Sequence, residues 1–140
     1  MSVAYTKGRR SSPDPEYNPA EPYYYTQAIS DQAARFIREN PRGTPFFLYV
    51  PYTAAHWPLH ARERDIARYD GKYDAGYDAI RRARLKKMKR LGIVSRDAEL
   101  SDAAGNWNAV EHKEWEAANM EVYAAMVDAM DQGIGEVVKA

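Results

Sequence analysis

Apolar positions in this chain follow two different patterns. Over residues 26–39, Ile29, Ala33, Phe36 and Ile37 recur at i, i+4, i+7 and i+8, while Asp31, Arg35, Arg38 and Glu39 fall mostly elsewhere. That spacing predicts an amphipathic helix with one buried face. Thr26 is expected to cap its start through the hydroxyl. Asn40-Pro41 should end it, because the residue before proline is pushed out of the α region. After Arg42-Gly43-Thr44 the pattern changes to an unbroken run, Phe46-Phe47-Leu48-Tyr49-Val50. Alternation would mean one wet face; a continuous run predicts a strand covered on both faces, as in a parallel sheet. Pro51 cannot donate to a ladder, so pairing should stop there and give way to a loop carrying His56.

Beyond that loop, residues 62–70 read as a short charged helix, and Gly71 and Gly76 punctuate the stretch that follows. A further long helix is predicted over 78–91, with Gly92 as its C′ residue. Asp74 and Asp78 lie near its start, and Arg81, Arg82, Arg84, Lys86, Lys87, Lys89 and Arg90 follow toward its end, an order that suits the helix dipole. Residues 95–108 read as a loop. A last helix runs from about 111 toward 138, its face marked by Trp115, Asn119, Val122, Tyr123, Met126, Val127, Met130, Ile134, Val137 and Val138. Gly133 and Gly135 should weaken its final turns. Residues 1–22 are polar and broken by Pro13, Pro15, Pro19 and Pro22, which predicts an extended Pro-rich arm. The fold class is therefore α/β, with helices around one buried strand and a mostly helical isolated chain. One strand cannot make a sheet, so the pattern reads as part of a larger α/β domain.

Composition narrows the function. The 140 residues carry 20 Lys+Arg and 20 Asp+Glu, so the formal net charge is zero. That balance argues against a general binder of nucleic acid or anionic membrane. The absence of cysteine excludes disulfides, Cys-ligated zinc and a cysteine nucleophile. The first ten residues have no apolar core of the kind a secretory signal needs, and no run is long enough to span a bilayer. Compartment stays open between cytoplasm and periplasm for a parent protein.

His56 is the candidate catalytic residue. A histidine in the loop at the carboxyl end of a buried strand suits general-acid work; the structural alternative is a loop histidine packed on Trp57. His56 and His60 are i, i+4, a metal-binding spacing on a helix, but Pro58 between them opposes a helix. The basic residues of 81–90 spread around their helix without interleaved aromatics, which fits a solvated helix end better than a nucleic-acid patch. Asp128 and Asp131 read as helix surface, the Met126/Met130 face as core, and Tyr23-Tyr24-Tyr25 as either packing or a cleft wall.

Three blocks, in order, resemble the bacterial arylsulfatases of the sulfatase family, within the alkaline phosphatase superfamily. They are Tyr25-Thr26-Gln27-Ala28-Ile29-Ser30-Asp31-Gln32-Ala33 with Phe36-Ile37; residues 45–60 (PFFLYVPYTAAHWPLH); and residues 120–138 (MEVYAAMVDAMDQGIGEVV). The block at 45–60 is similar to the family's apolar strand followed by its Thr-Ala-Pro-His-Trp-Pro motif, with Ala55 in place of the proline. The resemblance implies that residues 23–140 are the middle portion of a sulfatase catalytic domain, with a helical insertion at about 62–110. It implies hydrolysis of a sulfate ester to an alcohol or phenol plus sulfate, with His56 beside the ester helping the leaving group take a proton. It also implies calcium and a formylglycine nucleophile, and a sulfated small molecule as substrate. No calcium-ligand block or Cys/Ser-x-Pro-x-Arg motif is present here; Ser11-Ser12-Pro13-Asp14-Pro15 ends in proline where arginine is needed. The alternatives are a non-catalytic helical interaction protein derived from a sulfatase, self-associating through exposed apolar surface, and one piece of a split enzyme.

Overall fold

The helical periodicity of residues 26–39 is realised as α1, Tyr25–Glu39. A computed structural model describes residues 5–7, 10–12 and 23–140 of the chain. Tyr5–Lys7 (β1) and Arg10–Ser12 (β2) pair antiparallel, with Tyr5 opposite Ser12; the proline-broken stretch from 13 to 22 lies outside the described residues. Two units emerge, Met1–Trp57 with Met126–Ala140, and Pro58–Ala125.

In the first unit, Tyr24 stands at the N-cap of α1 with no side-chain cap bond. Thr26 does not act as the cap. It is buried within the first turn, where its carbonyl accepts the Ser30 hydroxyl at 3.0 Å. The helix ends where Asn40-Pro41 predicts, and Asn40 Nδ2 donates to the Thr44 carbonyl at 2.9 Å. Its buried face is Thr26, Ile29, Ser30, Ala33 and Ala34, turned from the expected one toward small residues, with Phe36 and Ile37 only half-buried. The reason is close approach: a Cβ on Gly133 of the last helix would overlap the Ser30 hydroxyl and sit 2.9 Å from Ser30 Cβ. Gln27 Nε2 reinforces the crossing by donating to Glu136 Oε2 at 3.0 Å.

That last helix, α4, runs unbroken over Lys113–Lys139, so Gly133 and Gly135 do not fray it. The unit boundary falls inside it. In the first unit it buries Met126, Ala129 and Gly133, whereas Val127, Ile134 and Val138, expected on the core face, are exposed. Gly133→Ala is therefore expected to lower stability by about 1–2 kcal/mol through overpacking, although Gly→Ala inside a helix ordinarily stabilises by about 0.5–1 kcal/mol. Gly135→Ala, with nothing within 4 Å of the added Cβ, should stabilise. Urea midpoints moving in the same direction for both variants would refute the close approach.

The predicted buried strand is not formed. Residues 44–50 carry no regular secondary structure and belong to no ladder, and Phe46, Phe47 and Tyr49 are exposed, Phe47 at 93%. A strand must exchange its N–H and C=O groups with a neighbour, and among the described residues no other run pairs with this one.

In the second unit, α2 (Glu63–Ile66) and a 3₁₀ turn (Ala67–Tyr69) form around Asp65. Asp65 is 1% exposed and accepts from Arg62 Nε at 2.6 Å, with Arg68 3.9 Å away. The predicted charged helix at 62–70 is thus realised as a short α-helical and 3₁₀ segment around one buried carboxylate. α3 spans Gly76–Arg90. It ends as the sequence predicts: Gly92 has φ +70°, its N–H donates to Lys89 and that of Ile93 to Met88, the paired bonds of a Schellman cap. A further 3₁₀ turn, Trp107–Ala109, is capped by Asn106 Oδ1 accepting the Asn108 N–H at 3.0 Å. Arg81 is not a solvated cation of α3. Its Nη2 donates to the Ser101 carbonyl at 2.6 Å and the Ser101 hydroxyl at 3.1 Å, tying down the loop before the turn. No helix among the described residues is long and apolar enough to cross a membrane.

Candidate functional site

Ser30 and Tyr52 meet in the first unit, and His56 follows four residues after Tyr52 in the chain. Ser30 is fully buried and has spent its hydroxyl proton on the Thr26 carbonyl. Its contact of 2.8 Å with the Tyr52 hydroxyl must therefore run the other way, with Tyr52 donating and Ser30 accepting. This bond fixes the start of the loop onto α1, in the recess that Gly133 leaves open; a Cβ at 133 would lie 3.3 Å from the Tyr52 oxygen.

From that anchor the chain makes a tight turn. The His56 N–H donates to the Thr53 carbonyl at 2.8 Å, and the Ala54–Ala55 peptide between them is cis. His56 and Trp57 are both exposed. His56 Nδ1 lies 2.6 Å from the Trp57 carbonyl oxygen. A carbonyl can only accept, so Nδ1 carries the hydrogen. The His56 ring is thus held by the Trp57 backbone. The neutral ring thereby keeps its lone pair on Nε2, which has no partner among the described residues. Fixing one nitrogen to a carbonyl and leaving the other open is how a histidine is oriented to carry a proton. His60 is exposed and belongs to the other unit.

Among the described residues no group of three or more His, Cys, Asp or Glu could hold a metal ion. The sequence has no cysteine from which a formylglycine could be made, and Pro13 to Pro15 of the serine motif lie outside the described residues. The described residues therefore offer calcium no fitting donor set. Asp128 and Asp131 do not gather into a site with other ligands, and Tyr23 and Tyr24 diverge, the one exposed and the other buried.

The second unit holds a polar–aromatic cluster that sequence reasoning missed. The Tyr77 hydroxyl donates to Glu116 Oε2 at 3.0 Å, and its ring meets Trp107 edge-on, with centroids 4.9 Å apart. Partial burial and the bond to the Glu116 carboxylate hold the Tyr77 phenol above its ordinary pKa. Partial burial also raises Tyr73; the Arg84 guanidinium opposes that rise and the Glu121 carboxylate adds to it. A raised phenol pKa means the fold favours the neutral form. The contribution to stability is present below about pH 10, the unfolded value, and is lost as pH rises through the folded values. In a ¹³C-tyrosine NMR titration, Tyr73 and Tyr77 are expected to ionise after an ordinary exposed tyrosine, and Glu116→Gln should bring Tyr77 down. An unchanged Tyr77 midpoint in that variant would remove Glu116 as a cause.

Comparison with known proteins agrees with the residue pattern. The sulfatase family model matches residues 2–140. An uncharacterized sulfatase of Schizosaccharomyces pombe is 36% identical over 121 residues, covering 82% of this chain and 21% of the relative. An arylsulfatase of Klebsiella aerogenes is 34% identical over 121 residues, covering 84% of this chain and 26% of the relative. The chain thus spans about a quarter or less of the length of these curated relatives.

Proposed function

Because the chain belongs to the sulfatase family, we propose that it is the middle portion of a sulfatase catalytic domain and supplies the acid for hydrolysis of a sulfate ester. The observation that carries this reading is the His56 ring, held at Nδ1 by the Trp57 carbonyl with Nε2 open. In the reaction ROSO₃⁻ + H₂O → ROH + HSO₄⁻, the ester S–O bond breaks and negative charge develops on the departing oxygen. Protonated His56 gives its Nε2 proton to that oxygen as the bond lengthens. The Trp57 carbonyl keeps its hydrogen bond in both protonation states, so the ring need not turn over to release or regain the proton. Attack on sulfur and neutralisation of the sulfate charge are assigned to none of the residues described. Residues 62–110 serve in this reading as a helical insertion, and the substrate is a sulfated small molecule, as the name of the Klebsiella relative suggests.

A second reading rests on the exposed apolar side chains Phe47, Trp57 and Val138, at 93%, 66% and 80% exposure. A chain bearing these would act as a helical interaction protein, or as one piece of a split enzyme. A chimera separates the two. The matching segment of the Klebsiella arylsulfatase is replaced by this chain, and turnover of phenyl sulfate is followed in a preparation shown to be folded by circular dichroism. Turnover by the chimera and none by the isolated chain is the expected result. A folded, monomeric and inert chimera would favour the interaction reading.

A further inference from the structure

The second unit holds a partly open cavity of ≈ 210 Å³ that the sulfatase reading leaves without a role. Its aromatic walls are Tyr73, Tyr77 and Trp107, and Ile80 and Met120 add aliphatic surface. Space of roughly 150 Å³ is enough for a benzene ring in an apolar protein cavity, so one ring fits. The ionised side chains that line it are Arg81 and Arg84; no carboxylate does. Arg81 is occupied, donating to Ser101 and pairing with Asp78 at 3.7 Å. The Glu116 carboxylate is engaged by the Tyr77 hydroxyl. Arg84 is exposed and has no hydrogen bond or ion pair among the described residues, although its charge is felt by the Tyr73 phenol.

We propose that this cavity binds a single aromatic ring bearing one anionic group, with the ring against Tyr77 and Trp107 and the anion at Arg84. Three features converge on that chemistry: an apolar volume of one-ring size, π-faces on its walls, and a cation with its donors uncommitted. A guanidinium offers a planar pair of N–H donors to a carboxylate or a sulfate alike. A neutral ring would leave Arg84 unused. A cationic ring would meet two guanidinium groups and no lining carboxylate.

The test uses the intact 140-residue chain and benzoate as probe, with benzylamine and acetate as controls, read by the Met120 methyl and Trp107 indole signals in NMR. Benzoate is expected to shift both saturably with a Kd in the millimolar range, about what nine heavy atoms can achieve. Benzylamine and acetate should leave them in place. Arg84→Gln should weaken benzoate roughly five-fold, while Arg96→Gln, an exposed change outside the cavity, should not. Equal binding of benzylamine and benzoate by the unaltered chain would overturn the anion preference. No saturable shift with benzoate would overturn the site. Because those comparisons need no variant, they decide the matter even if Arg84→Gln fails to fold.

Discussion

In the arylsulfatase chimera, His56→Ala is expected to cut turnover of phenyl sulfate by about 10²–10⁴-fold, the usual worth of a positioned general acid. Two further readouts distinguish proton donation from support of the loop. The loss should shrink steadily as the leaving phenol becomes more acidic, because a nitrophenolate departs with little help, whereas a merely structural defect would depress all substrates alike. KM should change much less than kcat, since the proton is transferred only in the transition state. His56→Gln offers a side-chain amide donor but no transferable proton, so it should resemble alanine in rate. A loss in kcat of the same size across a series of phenols would sink the assignment of His56 as the acid. In the proposed reading Nδ1 orients the ring through its 2.6 Å contact with the Trp57 carbonyl.

Gly76→Ala should cost about 3 kcal/mol of stability, the largest loss expected for an alanine at any of the described glycines. Two independent causes add. Gly76 has φ +80°, a left-handed conformation that favours glycine, and it begins α3. A Cβ there would also fall within the Trp107 indole. Backbone and ring cannot both give way cheaply, because Trp107 begins the 3₁₀ turn capped by Asn106 and its ring also meets Tyr77. The variant should therefore lower the thermal midpoint and also displace the Trp107 and Tyr77 ring signals in whatever fraction stays folded. Gly105→Ala, with open space around its added Cβ, is the matched control from the neighbouring loop. An unchanged midpoint for Gly76→Ala would mean that the indole does not lie over the glycine.

The helices were legible in the sequence because their determinants are local. The period of Ile29, Ala33, Phe36 and Ile37, the Asn40-Pro41 stop and Gly92 are readable without a partner, and α1 and α3 end where those residues place their ends. The strand was not legible in the same way. Phe46 to Val50 has the composition of a buried strand, but a ladder is a property of two segments, and the described residues supply no other one. The buried side of α4 was misread for a related reason. Apolar size suggested Val127, Ile134 and Val138, but the observed contact needs small volume, and Ala129 and Gly133 provide it. A glycine well inside a strongly patterned helix was the available signal, and it was taken as weakness. His56 enters as a candidate from its place after the apolar run and from its resemblance to a family motif. Its anchor through Tyr52 and Ser30 was not legible, because hydroxyl pairing across 22 residues leaves no periodic trace. The run of basic residues on α3 concealed two different roles, a loop clamp at Arg81 and an uncommitted cation at Arg84.

The recess at Gly133 carries a lesson for sequence divergence. Ser30 and Tyr52 share that space, and a Cβ at 133 would meet both. Positions 30, 52 and 133 should therefore be inherited as one trait. A lineage that acquires a larger residue at 133 has to shorten the one at 30, and once the Ser30 hydroxyl goes, nothing on α1 remains to select tyrosine over phenylalanine at 52. Drift at these three sites should come in concerted steps, with any intermediate displacing the loop that ends in His56.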